Sequence, residues 1–298
     1  MKFLIHIPQL IYGGAEKVLV DFSNYLVEKG HEVQIIETYE RGLLKSEFNS
    51  KVVFDSICSK EYTNKFYVSL DDILKERNII KKIQKTFKKI FITLAGYERL
   101  ASILAQKRYK DKKFDVAINY LETQSPKFII KCINANKYLQ WIHIDISKVE
   151  DIDFIDNQSN LYQGLDEIIC VSKVAKSSFD ERYPNLKEKT HVIYNFYNVE
   201  KIINMSTSDS VFDENEFNIL SVGRLVEQKG YERAIDVFNK LKQEGYDFRW
   251  SIIGEGILRD KLEEKIKLLG LENNIKLLGI KENPYPYIKQ CDLFFLPS

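Results

Sequence analysis

Short apolar runs alternate with helix-patterned stretches almost from one end of this chain to the other, and that alternation leaves few folds open. Phe3–Ile7 runs into a glycine turn at Gly13-Gly14. Val18, Val20, Phe22, Tyr25, Leu26 and Val27 then fall at helical positions, with Gly30 as the stop. Further strands are expected at Val33–Ile36, Val52–Phe54, Val116–Asn119, Tyr138–Ile142 and Ile168–Val171. The pattern then restarts with strands at Asn218–Val222, Arg249–Ile253, Ile275–Leu278 and Asp292–Leu296, and helices near Tyr231–Glu244 and Leu258–Leu269. Repeated strand–helix–strand units mean parallel sheets covered by helices, the α/β class.

Two domains are expected, over residues 1–200 and 210–298. The junction is placed at His191–Tyr194 and the polar stretch Asn195–Glu216, which is rich in Asn, Ser and Asp. At 298 residues, with 44% hydrophobic and 29% charged content, the chain can build two cores and is neither disordered nor fibrous. Cys58, Cys132, Cys170 and Cys291 are far apart with no C-x-x-C pair, which favours free thiols in a reducing compartment over a metal or disulfide framework. No run approaches the roughly 20 apolar residues of a membrane span. The start is broken by His6, Pro8 and Gln9, so it reads as a buried strand rather than a leader. A cytoplasmic setting is expected.

Residues 75–113 depart from this average, with 13 Lys/Arg against 3 Asp/Glu on a chain of net charge +1. Ile79, Ile80, Ile83, Phe87, Ile90, Phe91 and Leu94 recur at helical spacing, with Lys81, Lys82, Lys85, Lys88 and Lys89 between them. Two readings stand. One is a covering helix packed on its own sheet with a solvated basic face. The other is a helix that docks on an anionic membrane surface, peripheral to the inner face.

The chemistry concentrates in Ser221–Gly230, SVGRLVEQKG. An apolar strand delivers the chain to Gly223, where no side chain obstructs a ligand, and Arg224 follows with a planar fork suited to phosphate oxygens. Lys229 and Gly230 stand at the start of the next helix, so two cations join a helix amino end at the carboxyl edge of a parallel sheet. As a bare pattern this is weak. His143 closes the strand Tyr138–Ile142; on its own it reads as a structural or capping histidine. Gly13-Gly14 alone reads as a tight turn. Gly254-Glu255-Gly256 and Gly279-Ile280 sit at strand ends where a nucleotide would lie, and both also read as plain turns. Asp151-Ile152-Asp153 matches a metal-binding D-x-D, but it sits in an acidic loop and is read as solvated, with no metal requirement. PQLIYGGAE lacks G-x-G-x-x-G, against a nicotinamide dehydrogenase.

SVGRLVEQKGYERAIDVF and the stretch from WSIIGEG to FFLPS resemble the carboxyl-terminal domain of family 4 glycosyltransferases, and GGAEKVLVDFSNYLVEKGHEV, WIH, VSKVAKSSF and VIYN extend the resemblance to the first domain. It covers nearly the whole chain, with its weakest stretch over residues 42–113. The resemblance implies a GT-B fold, two Rossmann-like domains facing a cleft, the second incomplete. It implies transfer, with retention, of a sugar from a nucleoside-diphosphate sugar to a glycan or lipid-linked acceptor in cell-surface polysaccharide synthesis. By it Arg224 and Lys229 hold the donor diphosphate and stabilise its departure, Gly13 and Gly14 complete the cradle, and His143 contacts the transferred sugar, with Asp145 a weaker neighbour. Gly223, Gly254, Glu255, Gly279 and Ile280 would receive the nucleotide. The donor is a substrate, so no cofactor is expected, and no nucleic-acid partner. Relatives continue past LPS with two glutamates that bind the donor. The expectation is therefore a chain cut short that transfers sugar poorly, and the alternative is a non-catalytic nucleotide- or membrane-binding fragment. An epimerase would share the cleft, but WIH and VSKVAKSSF count against it.

Overall fold

The computed structural model describes all residues except 12, 41–43, 59–72, 74, 77, 96–104, 150–151 and 208–209, and side chains are not described for 58, 88 and 90–95. The chain separates into two compact units, Met1–Tyr197 and Asn198–Ser298.

In the first unit the strands are β1 (Lys2–Ile7), β2 (Glu32–Tyr39), β3 (Val53–Cys58), β4 (Lys113–Asn119), β5 (Asn134–Ile142), β6 (Glu167–Cys170) and β7 (Thr190–Val192). They form one sheet in the order β3-β2-β1-β4-β5-β6-β7, every pair parallel. Side chains alternate between two cores. Leu4, Ile36, Ala117 and Ile168 pack on one face, and Ile5, Ile35, Ile118 and Ile169 on the other. That is why these strands read as continuous apolar runs. The first crossover helix, Gly14–Glu28, buries Val18, Leu19, Val20, Ser23, Leu26 and Val27.

The second unit holds β8 (Asn218–Val222), β9 (Arg249–Ile253), β10 (Ile275–Gly279) and β11 (Leu293–Phe294), parallel in the order β10-β9-β8-β11. Its core joins Ile219, Trp250, Ile252 and Ile275 of the sheet to Ile235 and Phe238 of helix Tyr231–Gln243 and to Leu262 and Ile266 of helix Arg259–Leu268. Phe238 stacks on Trp250 with ring centroids 4.3 Å apart.

Three expectations change. The polar stretch read as a linker holds a helix, Val199–Met205, whose amino end is capped by Asn198 Oδ1 accepting from Lys201 N at 2.9 Å. It is tied into the second unit by Asn283 Nδ2 donating to Met205 O at 2.7 Å. The strand expected over Asp292–Leu296 forms only at Leu293–Phe294, and Leu293, Phe294 and Leu296 are exposed along that edge. Finally, the basic segment does contain a helix, Ile79–Ala95, but Ile79, Ile80, Ile83 and Phe87 are 73%, 68%, 52% and 70% exposed, so these residues do not pack on the sheet as a covering helix would. Ile90, Phe91 and Leu94 lie outside the described side chains. No helix among the described residues is long and apolar enough to cross a membrane. Cys132 and Cys170 are buried and Cys291 is half-buried.

Candidate functional site

In the second unit, β8 delivers the chain to Gly223 and a turn that ends in a short 3-10 segment, Glu227–Lys229. Gly230 closes it at φ +69°, a left-handed position, and a Cβ there would stand 2.6 Å from Pro297 O, so only glycine fits. Leu225 is fully buried and anchors the turn, whereas Arg224 next to it is exposed. The Lys229 stem lies across Gly223, its Cδ and Cε 3.8 Å from where a Cβ would be, and Tyr231 Oη stands 2.9 Å from the same point. Tyr231 Oη is buried without a hydrogen-bond partner among the described residues. Neither Arg224 nor Lys229 pairs its side chain with an acid among the described residues. The turn thus presents two uncompensated cations beside a bare backbone, the chemistry of an anion site.

The loops after β9 and β10 lie against this turn. Gly223 N donates to Ile253 O at 2.9 Å, Leu225 N to Glu255 O at 2.9 Å, and Gly254 N to Gly279 O at 2.9 Å. Gly254 sits at φ +146°, and a Cβ there would collide with the Gly223 carbonyl, so its glycine has a packing reason whatever binds. Glu255 is engaged within the unit, accepting from Arg259 Nη1 at 2.6 Å, while Arg259 Nε also pairs with Glu263 at 2.9 Å. Ile280 is 75% exposed. Gly223, Gly254, Glu255, Gly279 and Lys229 are therefore gathered on one sheet edge, beside Arg224.

Gly13, Gly14 and His143 belong to the first unit. Tyr120 links them, its Oη donating to Ala15 O at 3.2 Å and its ring centroid 4.7 Å from that of His143. The helix amino end at Gly13 is not bare. Glu16, in its first turn, folds its carboxylate back over Gly13, so that a Cβ there would collide with it. Burial pushes the Glu16 carboxyl above its ordinary value. His143 is held where β5 ends by its own N–H, which donates to Glu122 Oε2 at 2.9 Å. Burial depresses its imidazole to about 4, against a smaller opposing effect from the Tyr120 carbonyl, so at neutral pH it is uncharged. Its Nε2 is buried with no partner among the described residues. Asp145 caps the following 3-10 turn instead, Oδ1 accepting from Ser147 N at 3.1 Å. Asp151 of the D-x-D lies outside the described residues, and Asp153 is in the short helix Ile152–Asp156.

Sequence reasoning missed a polar row across the first sheet. His6, Asn119 and Gln140 stand side by side on β1, β4 and β5, each buried. His6 Nδ1 meets Asn119 Oδ1 at 3.2 Å, and Asn119 Nδ2 meets Gln140 Oε1 at 2.8 Å. Glu122, also buried and with its carboxyl raised by that burial, was missed too. The signal present was a single polar residue in each apolar run (FLIHI, VAIN, YLQWI).

Residues 205–298 match the family model described as Glycosyl transferases group 1. An uncharacterized glycosyltransferase of Methanocaldococcus jannaschii is 25% identical over 185 residues, covering 57% of this chain and 44% of the relative, so the chain spans less than half of that protein. The N-acetylgalactosamine-N,N'-diacetylbacillosaminyl-diphospho-undecaprenol 4-alpha-N-acetylgalactosaminyltransferase of Campylobacter jejuni is 28% identical over 302 residues, covering 100% of this chain and 74% of the relative. Among solved structures, HepE of Anabaena in complex with UDP and glucose superposes with TM-score 0.69 at 18% identity, over 99% of this chain and 73% of that one. Each unit has the Rossmann-like architecture of GT-B glycosyltransferases.

Proposed function

We propose that this chain belongs to a glycosyltransferase that moves a sugar from a nucleoside-diphosphate sugar to a glycan or lipid-linked acceptor, with retention, in the synthesis of a cell-surface polysaccharide. The observation that carries the reading is the turn after β8, where Arg224 and Lys229 flank bare backbone and lack acidic partners among the described residues. In the reaction the bond from the anomeric carbon to the diphosphate breaks, a bond to an acceptor hydroxyl oxygen forms on the same face, and the hydroxyl proton passes to the departing diphosphate oxygen. The two cations offset charge growing on the departing diphosphate. His143, uncharged, serves as a hydrogen-bonding contact to the transferred sugar rather than as an acid or base. We assign the diphosphate to the Arg224–Lys229 turn and not to Gly13-Gly14, where Glu16 already stands. The HepE complex with UDP and the acceptor in the Campylobacter relative's name support the substrate classes.

Titration with UDP tests this. Arg224→Ala and Lys229→Ala should each weaken binding about tenfold or more, the scale of a charge-assisted hydrogen bond of roughly 1.5–3 kcal/mol. Equal affinity in both variants and the parent protein would overturn the assignment, and the anomeric configuration of the product reads retention.

The exposed apolar face of helix Ile79–Ala95 supports one addition, a peripheral seat on an anionic membrane surface. Isoleucines 79, 80 and 83 with Phe87 would enter the interface while the lysines among them meet anionic headgroups. Vesicles containing phosphatidylglycerol should bind the protein at low salt, release it as salt rises, and bind Phe87→Asp more weakly. No binding at low salt would remove this part of the proposal.

A further inference from the structure

Arg224 is exposed, but the backbone on either side of it is fixed. Gly223 N donates to Ile253 O, Leu225 N donates to Glu255 O at 2.9 Å, and Leu225 O accepts from Leu258 N at 3.1 Å. The Leu225 side chain is fully buried in the core of the second unit. A Cβ on Gly256 would collide with the Leu225 carbonyl, so the two loops run together at backbone contact. The direction in which Arg224 leaves the turn is therefore set by where the loop after β9 places residues 255–258.

That loop has a brace of its own. Arg259, the first residue of helix Arg259–Leu268, donates from Nη1 to Glu255 Oε1 at 2.6 Å and from Nη2 to Leu277 O of β10 at 3.3 Å. Its Nε pairs with Glu263 Oε1 at 2.9 Å. One planar guanidinium thus ties the loop after β9 to the neighbouring strand and to the helix that follows, a task for a fork rather than for a point charge. The residue it holds, Glu255, is the one whose carbonyl holds the Leu225 amide.

Two plainer roles fit Arg259 less well. As a third cation for an anion it is poorly placed, because it stands between the carboxylates of Glu255 and Glu263, a group of net charge −1. As a device for stability it is weak. The Arg259 and Glu255 side chains are 31% and 41% exposed, and ion pairs so open to water contribute little to folding.

We infer that Arg259 is a positioning residue: by holding Glu255 it fixes the backbone that flanks Arg224, and so aims the Arg224 guanidinium at a diphosphate that Arg259 itself does not touch. Glu255 is then part of the brace rather than a contact to the nucleotide. The diphosphate half of this inference rests on the proposed function; the bracing half does not.

Two readouts on the full chain test it. The first needs no ligand. Hydrogen exchange at the Leu225 amide, followed by NMR, should quicken about threefold or more in Arg259→Ala and in Glu255→Ala, the scale of one half-exposed ion pair. Glu255→Gln, which keeps an acceptor oxygen for Arg259, should stay nearer the parent protein. No change at Leu225, or a rise spread evenly over the second unit, would overturn the inference.

The second readout is titration with UDP, which both alanine variants should bind about threefold or more weakly. The sign in Glu255→Ala is the sharper part. On charge alone, removing a carboxylate beside an anion site and freeing its arginine would tighten UDP; lost positioning loosens it. Adding Arg259→Ala to Arg224→Ala should weaken UDP no further, since the group being aimed is gone, whereas in a Lys229→Ala background the loss should persist. Unchanged or tighter UDP binding in Glu255→Ala, or an undiminished loss from Arg259→Ala in the Arg224→Ala background, would overturn the inference. UDP binding that ignores Arg259 and Glu255 sinks this inference alone. A Leu225 amide released by the variants in a chain that binds no UDP sinks the proposed function alone.

Discussion

The turn leaving β1 and the turn leaving β8 hold the same place in two sheets of the same kind. Each follows a strand flanked by the second and fourth strands of its sheet, and each feeds a helix whose amino end carries partial positive charge. Their chemistry is opposite. In the first unit a carboxyl group of the helix itself, Glu16, folds over the glycine at that end. In the second, Arg224 and Lys229 add two charges of the same sign as the helix end and no acid among the described residues pairs with them. Topology therefore supplies the same turn twice, and a few side chains decide its charge. A Rossmann-like turn is thus no evidence for phosphate until the charges around it are counted.

The largest expected effect breaks the second turn and spares the first. In Gly254→Ala the new methyl meets the Gly223 carbonyl at a backbone angle that side chains rarely adopt. Strain and overlap together should cost about 3 kcal/mol or more. Gly14→Ala meets nothing within 4 Å and lies in a helix, so it should change stability by less than about 0.5 kcal/mol. Each unit contains one tryptophan, Trp141 in the first and Trp250 in the second, so denaturant unfolding followed by fluorescence in Trp→Phe backgrounds reads them separately. Equal effects of the two substitutions would mean that the loops after β8 and β9 are not in contact.

What was legible in the sequence follows the range of the interaction. The β8 turn is local: the strand, Gly223, Arg224, Lys229 and Gly230 all fall within residues 218–230, so the segment could be singled out from sequence, although the bare pattern is weak and the family resemblance supplied its meaning. The division into α/β units was legible too, because apolar strands buried on both faces leave a mark in every run. The His6–Asn119–Gln140 row was not, since its members are brought together only by the register of β1, β4 and β5. Glu16 was read as part of a glycine motif because its carboxylate's backward fold is a side-chain choice. The helix at Val199–Met205 hid in polar surroundings: Val199 and Ile203 are themselves exposed, so no apolar stripe announced it.

A smaller effect breaks the first unit and leaves the second alone. All four histidines of the chain, His6, His31, His143 and His191, fall in residues 1–197. Folding depresses His6 from 6.5 to about 4, so between those values the unfolded chain binds more protons than the folded one. The stability contributed by uncharged His6 is therefore complete above 6.5 and is lost as pH falls towards 4, on the order of 3 kcal/mol at the limit. Buried carboxyls act with the opposite sign. Glu16, Glu37 and Glu122 are all raised by burial, and their protonated forms favour the fold, so they withdraw stability as pH rises above the ordinary carboxylate value. The total pH profile mixes the two, and a difference isolates the histidine. His6→Asn should show a shallower loss of first-unit stability between pH 6.5 and 4 than the parent protein, read by Trp141 in a Trp250→Phe background. Parallel slopes in the two proteins would mean that His6 ionises in place.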